Sequence, residues 1–206
     1  MLPVDENGSV FFTEVVESEL EKSELISNVR SWIAYTFGNY DSVVQFEDLV
    51  RGRIILKGTI NVEPLKEANL LGVYVSNSKD IIFALTLDIK DQKYRYIMSE
   101  IYSELNLTGD IRREPLSNHL LTIAEFEEEI KIISSSLDFL KRKDLTSLKR
   151  RELEEHEKMI STFERTISQR ESAIQYHYDE LEKEVFVIES LLNDLKESMI
   201  KKTDDF

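Results

Sequence analysis

The chain has no cysteine, three prolines, six glycines and one tryptophan in 206 residues. Without cysteine there is no disulfide, no thiol nucleophile and little scope for structural zinc, although the compartment stays open. The last glycine is Gly109 and the last proline Pro115, so the 91 residues that follow contain no strong helix breaker. No run of about 18 apolar residues is present, which excludes an integral membrane helix. Basic residues are also scarce, 26 against 40 acidic, for a net charge of −14. Residues 1–115 hold 12 basic and 19 acidic side chains and residues 116–206 hold 14 and 21, so neither part concentrates positive charge. Nucleic-acid and anionic-membrane binding are therefore disfavoured.

Catalytic signatures are missing too. The isolated glycines form no G-x-G-x-x-G or P-loop, and no serine has a G-x-S-x-G setting. His119, His156 and His177 make no metal-ligand spacing, and the latter two sit on a helical seam, which reads as packing rather than ligation. Glu127-Glu128-Glu129 and Glu152-Glu154-Glu155 read as solvated helix faces. The sequence predicts no catalytic residue, no metal site and no cofactor.

What the chain does have is alternation. In DIIFALTLDIKDQKYRYIMSEIYSEL, residues Ile81, Phe83, Leu85, Leu87 and Ile89 form one apolar face of a strand. Tyr94, Tyr96, Met98 and Tyr102 recur with the same period after a turn at Asp91-Gln92. Such a long hairpin needs cover on one side. Upstream, Ser9–Glu17 predicts a strand, and Ser18 with Glu21 a capping box that opens a helix to Phe37. That helix carries the stripe Leu25, Val29, Trp32, Ile33 and Phe37, ended by Gly38-Asn39. A second strand is expected over Ser42–Val50, a turn at Arg51-Gly52, and a third strand over RIILKGTINV. In the third, Ile54, Leu56, Ile60 and Val62 face the core, as does Gly58, whose missing side chain admits a ring, a backbone or a small ligand. Val73–Val75 is a short edge strand or a loop. The order is β-α-β-β-β-β.

The last part is helical. Thr122 and Glu125 predict a capping box with Leu121 and Phe126 as its staple, and Phe126, Ile130, Ile133, Leu137 and Leu140 make an amphipathic stripe. Lys141-Arg142-Lys143 suits the end of that helix, and Asp144 a new start. Leu153, Ile160, Ile167, Ile174, Leu181, Ile188 and Leu195 then recur every seven residues. Their partner position moves from three residues on (His156, Phe163, Arg170) to four (Tyr178, Val185, Leu192, Met199), which predicts a rotation of the apolar face near Arg170–His177. The reading is one helix or two collinear ones, ~85 Å if continuous from Asp144 to Ile200. Its first half runs antiparallel to Thr122–Leu140 and its second half packs on the sheet. The expected parts are a sheet domain over 1–115, a coiled-coil-like helical hairpin over 116–179 and a returning helix over 180–206.

LPVDENGSVFFTEVVE, SWIAYTF, GRIILKGTI, FALTLDIKDQKYRY and the closing VFVIESLLNDLKESM, in that order, resemble a bacterial family of unknown function, common in Bacteroidota, with a TBP-like fold. The resemblance covers roughly residues 1–105 and 180–200. It implies an α+β fold, a curved antiparallel sheet gripped by helices, in an exported, periplasmic or envelope-associated protein whose leader has been removed; otherwise the protein is cytoplasmic. The segment from 116 to 179 does not match the family core. The family offers no catalytic residues, and its label implies no DNA binding.

Two functions follow. The first is a noncatalytic scaffold or interaction module whose helices bind a protein partner or a second copy through Leu153, Ile160, Phe163 and Ile167, with a basic knot of Lys141, Arg142, Arg150 and Arg151 as a docking point. The second is a small-ligand binder with a pocket lined by Trp32, Gly58, Tyr94 and Tyr96.

Overall fold

A computed structural model describes residues 2–62, 67–68, 74–75, 78–107, 110–146 and 149–201. Two compact units emerge, one from residues 1–117 with 183–206 and one from residues 118–182. In the first, strands β1 (Phe12–Glu17), β2 (Val44–Asp48), β3 (Arg53–Val62), β6 (Ser78–Lys90), β7 (Lys93–Leu107) and β8 (Asp110–Pro115) form an antiparallel sheet, and β4 (Glu67–Ala68) and β5 (Tyr74–Val75) pair separately. The sheet order is β1-β7-β6-β3-β2, with β8 also on β7. β1 pairs with Lys93–Met98 and β8 with Tyr102–Leu107, so two short strands share one long edge. This is the open antiparallel α+β architecture expected. The expected edge strand at 73–75 is β5 for Tyr74–Val75; Val73 lies outside the described residues.

Alternation made the sheet. Ile81, Phe83, Leu85, Leu87 and Ile89 are buried, as are Ile54, Leu56 and Val62 beside them, while Ile60 is half-buried. Cover comes from α1 (Lys22–Phe37), through Leu25, Val29, Trp32 and Ile33. Further buried side chains come from the last turns of α4 (Arg150–Met199): Ile188, Leu191, Leu192, Leu195 and Met199. Trp32 Nε1 donates to Asp194 Oδ2 at 2.8 Å and Asn28 to the Lys201 carbonyl at 2.7 Å, so the two helices are tied by polar bonds as well.

The period of two breaks between β2 and β3, at Val44–Phe46, and again within β7. Ile82 faces Tyr102 and Ala84 faces Ser99, so β7 holds an extra residue opposite Phe83. Glu100 there takes a φ of 51°, the left-handed turn of a β-bulge. Past the bulge the faces exchange: Ile101 and Ser103 are buried and Tyr102 is exposed. Tyr102 therefore does not continue the face of Tyr94, Tyr96 and Met98.

Helix starts also moved. Glu21, not Ser18, caps α1, in a reciprocal box with Glu24, and Gly38 ends it at a φ of 72°. The Ser18 hydroxyl instead accepts from Leu20 N at 3.2 Å. A one-turn helix α2 (Tyr40–Val43), capped by Asn39, replaces the start of the expected second strand. β8 (DIRREP) was not foreseen, because a charged edge strand lacks apolar alternation.

In the second unit α3 (Asn118–Lys141) begins four residues before Thr122, which leaves Leu121 exposed instead of stapled. α4 is one uninterrupted helix, but it starts at Arg150 and not at Asp144. Asp144 accepts from Thr146 N and Oγ1 at 2.9 and 2.8 Å, making a turn of its own, and Lys149 N donates to Glu152 at 2.7 Å at the true start. The described contacts between α3 and α4 run antiparallel. His119 Nδ1 meets His177 Nδ1 at 3.0 Å, Arg170 bonds Glu129 at 2.6 Å, and His156 Nε2 donates to the Leu140 carbonyl at 3.0 Å.

The expected rotation of the helical seam is met at Leu192 and Met199, which are buried, and in part at half-buried Val185, but not at Tyr178. Tyr178 is exposed, whereas Glu184 and Leu191, on the unshifted three-residue step from His156 through His177, are buried. Leu192 and Met199 join that face beside the old register. The charge at Glu184 is a buried one.

Candidate functional site

The sheet has a second face. Alternation places Val15, Asp48, Arg53, Asp88 and Arg95 opposite the core, and strand register aligns the last four with Val15 in a single row across the sheet. Their signs alternate. Arg53 Nε lies 2.6 Å from Asp88 Oδ1 and an Arg95 guanidinium nitrogen 2.5 Å from Oδ2, so one carboxylate serves two guanidinium groups. Burial pushes the Asp88 carboxyl up, but the bonds from Arg53 and Arg95 outweigh it and hold the group below its ordinary range. Arg51 reaches Asp48 only at 3.7 Å.

The next row is Phe46, Ile55, Thr86, Ile97 and Thr13. Phe46 is 48% exposed, so this band is open at its β2 end, and Val15, 59% exposed, ends the charged row at β1. Where the two rows meet the β6–β7 turn, a cleft of about 540 Å³ opens, with Arg51, Arg53, Lys90, Lys93 and Arg95 among its walls against Asp48 and Asp88.

The four residues expected to line a ligand pocket are not gathered there. Gly58 has its space taken by rings, since a Cβ would lie 2.6 Å from Phe83 Cζ and 2.9 Å from Phe37 Cε1. Trp32 is bound to Asp194 and stands edge-on to Phe37 at 5.7 Å. The Tyr96 hydroxyl donates to Glu14 at 2.8 Å, beside the Lys196–Glu14 ion pair at 2.6 Å. Those bonds from Lys196 and Tyr96 lower the Glu14 pKa despite some burial. Tyr94 alone borders the cleft, but its side chain lies with Tyr96 and Met98 on the buried face, where burial pushes its phenol up to about 12.

One charged group escaped sequence reading. Glu184 is fully buried, ion-paired to the buried Lys79, and accepts from Ser103 Oγ at 2.6 Å. These bonds join the last helix to β6 and β7. Its signal was present in the unbroken seven-residue step from His156, which a search for apolar partners passed over.

In the helical unit, Leu153, Ile160, Phe163 and Ile167 are half-buried on the α4 side that carries His156 and Arg170. The basic residues are exposed: Lys141 pairs with Glu164 at 2.9 Å, Arg150 with Glu154 at 3.0 Å and Arg151 with Glu155 at 3.2 Å, while Arg142 is exposed without a described ion pair. The open apolar surface lies elsewhere. Ile132, Phe139 and Met159 are 58%, 74% and 46% exposed, and Phe139 and Met159 flank a groove of about 390 Å³ that Phe163 also lines. Sequence periodicity finds inward positions and passes over exposed apolar ones such as these.

Among the described residues no cluster of three His, Asp or Glu could hold a metal, and no helix is long and apolar enough to cross a membrane. Residues 11–104 match the family model described as Domain of unknown function (DUF4468) with TBP-like fold, and the resemblance read from the sequence holds over that segment. A DUF4468 family protein from Bacteroides ovatus is similar at 14% identity and a TM-score of 0.45, over 57% of this chain and 66% of that one, just under two thirds of its length. A TBP-like protein from Parabacteroides distasonis is similar at 13% identity and a TM-score of 0.44, over 86% of this chain and 96% of that one. No curated protein matches the sequence. The family description assigns no role and indicates no catalytic activity.

Proposed function

We propose that the chain is a noncatalytic interaction protein of the cell envelope, and that it works by pairing its helical hairpin with the hairpin of a second copy. The observation that carries this is the outward apolar stripe of Ile132, Phe139 and Met159. A two-helix hairpin can bury only one side of each helix, and two hairpins complete a four-helix bundle. Charge favours an antiparallel arrangement. The tip of each hairpin carries Lys141, Arg142, Lys143, Lys149, Arg150 and Arg151, and Glu127-Glu128-Glu129 lies on the far side of the stripe. Head-to-tail pairing about a twofold axis sets each basic tip beside the acidic triplet of its neighbour.

Native mass spectrometry on the whole chain tests it. A mass of twice 24.1 kDa is expected. Ile132→Asp with Phe139→Asp should leave a monomer of unchanged helicity. A wild-type monomer at micromolar concentration, or a double variant that still pairs, refutes the reading. The envelope location rests on the family resemblance, and recovery of the native protein only in the cytoplasmic fraction of its own cells would count against it.

A further inference from the structure

We infer that the cleft at the β6–β7 end of the open sheet face binds an anionic amphipath, a carboxylate or phosphate head carried on an apolar body. The first ground is charge. The chain as a whole is at −14, yet five cations and two carboxylates line this cleft, a local excess of three positive charges. Asp88 engages Arg53 and Arg95 through its two oxygens. That pairing holds the guanidinium planes in place and leaves their remaining N–H groups for another acceptor. Arg51 is held only loosely, and Lys90 and Lys93 have no carboxylate partner among the described residues. An anion entering here gains charge-assisted hydrogen bonds without breaking a tight ion pair.

The second ground is the neighbouring surface. Val15 ends the charged row at β1 and Phe46 ends the next row at β2, both large, exposed and apolar, with Ile55 and Ile97 between Phe46 and Thr13. A solvated strand face has no need of them. A bare inorganic anion would use the cations and ignore this band, and a neutral hydrocarbon would do the reverse. A volume of about 540 Å³ suits a small molecule. A nucleic acid fits poorly, because its many phosphates would meet an acidic protein beyond the cleft.

Isothermal titration of the full-length protein with monomeric dodecyl phosphate, dodecanoate, inorganic phosphate and octyl glucoside separates head from tail. Dodecyl phosphate or dodecanoate should bind at least tenfold more tightly than either control. Arg51→Glu with Lys93→Glu should weaken binding at least tenfold, and Phe46→Ala several-fold, with thermal unfolding unchanged. No binding, equal binding of octyl glucoside, or indifference to the charge reversal overturns the inference. Co-sedimentation with mixed zwitterionic and anionic phospholipid vesicles would assign the head to a membrane lipid. Binding of monomeric amphipath without sedimentation would assign it to a free ligand. Repeating the titration on the Ile132→Asp, Phe139→Asp variant keeps this result independent of pairing.

Discussion

At Gly58 a single hydrogen does the work of a side chain. Because an added Cβ would sit within 3 Å of both Phe83 and Phe37, Gly58→Ala is expected to cost about 1–3 kcal/mol by overpacking. Phe83→Leu in the same background should recover part of it. Urea denaturation checks both, and an undiminished midpoint for the alanine variant would contradict the packing. Glu184 sets the opposite problem. Removing one member of a buried ion pair strands the other, so Glu184→Gln and Lys79→Met should each cost about 3–5 kcal/mol. Lys79→Met combined with Glu184→Gln should cost less than the two single changes together. A strictly additive double-mutant cycle would show that the pair is not coupled. Sequence reading found Gly58 because an absent side chain on an apolar face is conspicuous. It missed Glu184 because charge is ordinarily a sign of solvent.

Among the elements, β7 shows what period alone can and cannot deliver. Its first half obeys the alternation of Tyr94, Tyr96 and Met98, and its second half is displaced by one residue at Glu100. Deleting Glu100 would restore a regular ladder and leave Ile101 and Ser103 on the core face, opposite Phe83 and Ile81, with Tyr102 still outside opposite Ile82. Cooperative unfolding, followed by circular dichroism and tryptophan emission, should therefore survive the deletion. Glu100→Asn should be nearly neutral, because asparagine tolerates the left-handed backbone and the lost Lys57–Glu100 surface pair is worth little. A deletion variant that unfolds without cooperativity would contradict this register. No residue type announces this bulge, since glutamate is not the residue that usually signals a positive φ. The helices were easier: the seven-residue step gave α4 its continuity, while its start was obscured because Asp144 and Lys149 both look like caps and only contacts decide between them.

Across the whole molecule, ionisation sets limits on both sides of neutrality. Asp88 and Glu14 have pKa values lowered by folding, so their contribution is present above the ordinary carboxylate range and is lost as pH falls through the folded-state value. Tyr94 and Tyr40 are raised to about 12, and Tyr96 is raised as well. For these phenols the unfolded chain loses its protons first, near pH 10, so stability falls as pH rises from there toward 12. Unfolding followed across pH should therefore show an acid shoulder below about pH 4 and an alkaline collapse in which late tyrosinate absorbance and loss of helicity coincide. Phenols that all ionise near pH 10 without unfolding would refute the assignment. The sheet-and-helix plan was legible from alternation and heptads. The open-face cleft was not, because Asp48, Arg53, Asp88 and Arg95 come from four strands and meet only through register.

The sheet unit is completed by the last turns of α4, a stretch made well after its strands. Glu14 waits for Lys196, Trp32 for Asp194 and Asn28 for Lys201. During synthesis the apolar strands therefore emerge long before their final cover, and the growing chain has no finished core to settle into until α4 has been made. Such a chain folds late, with its apolar strands open to solvent and to aggregation meanwhile.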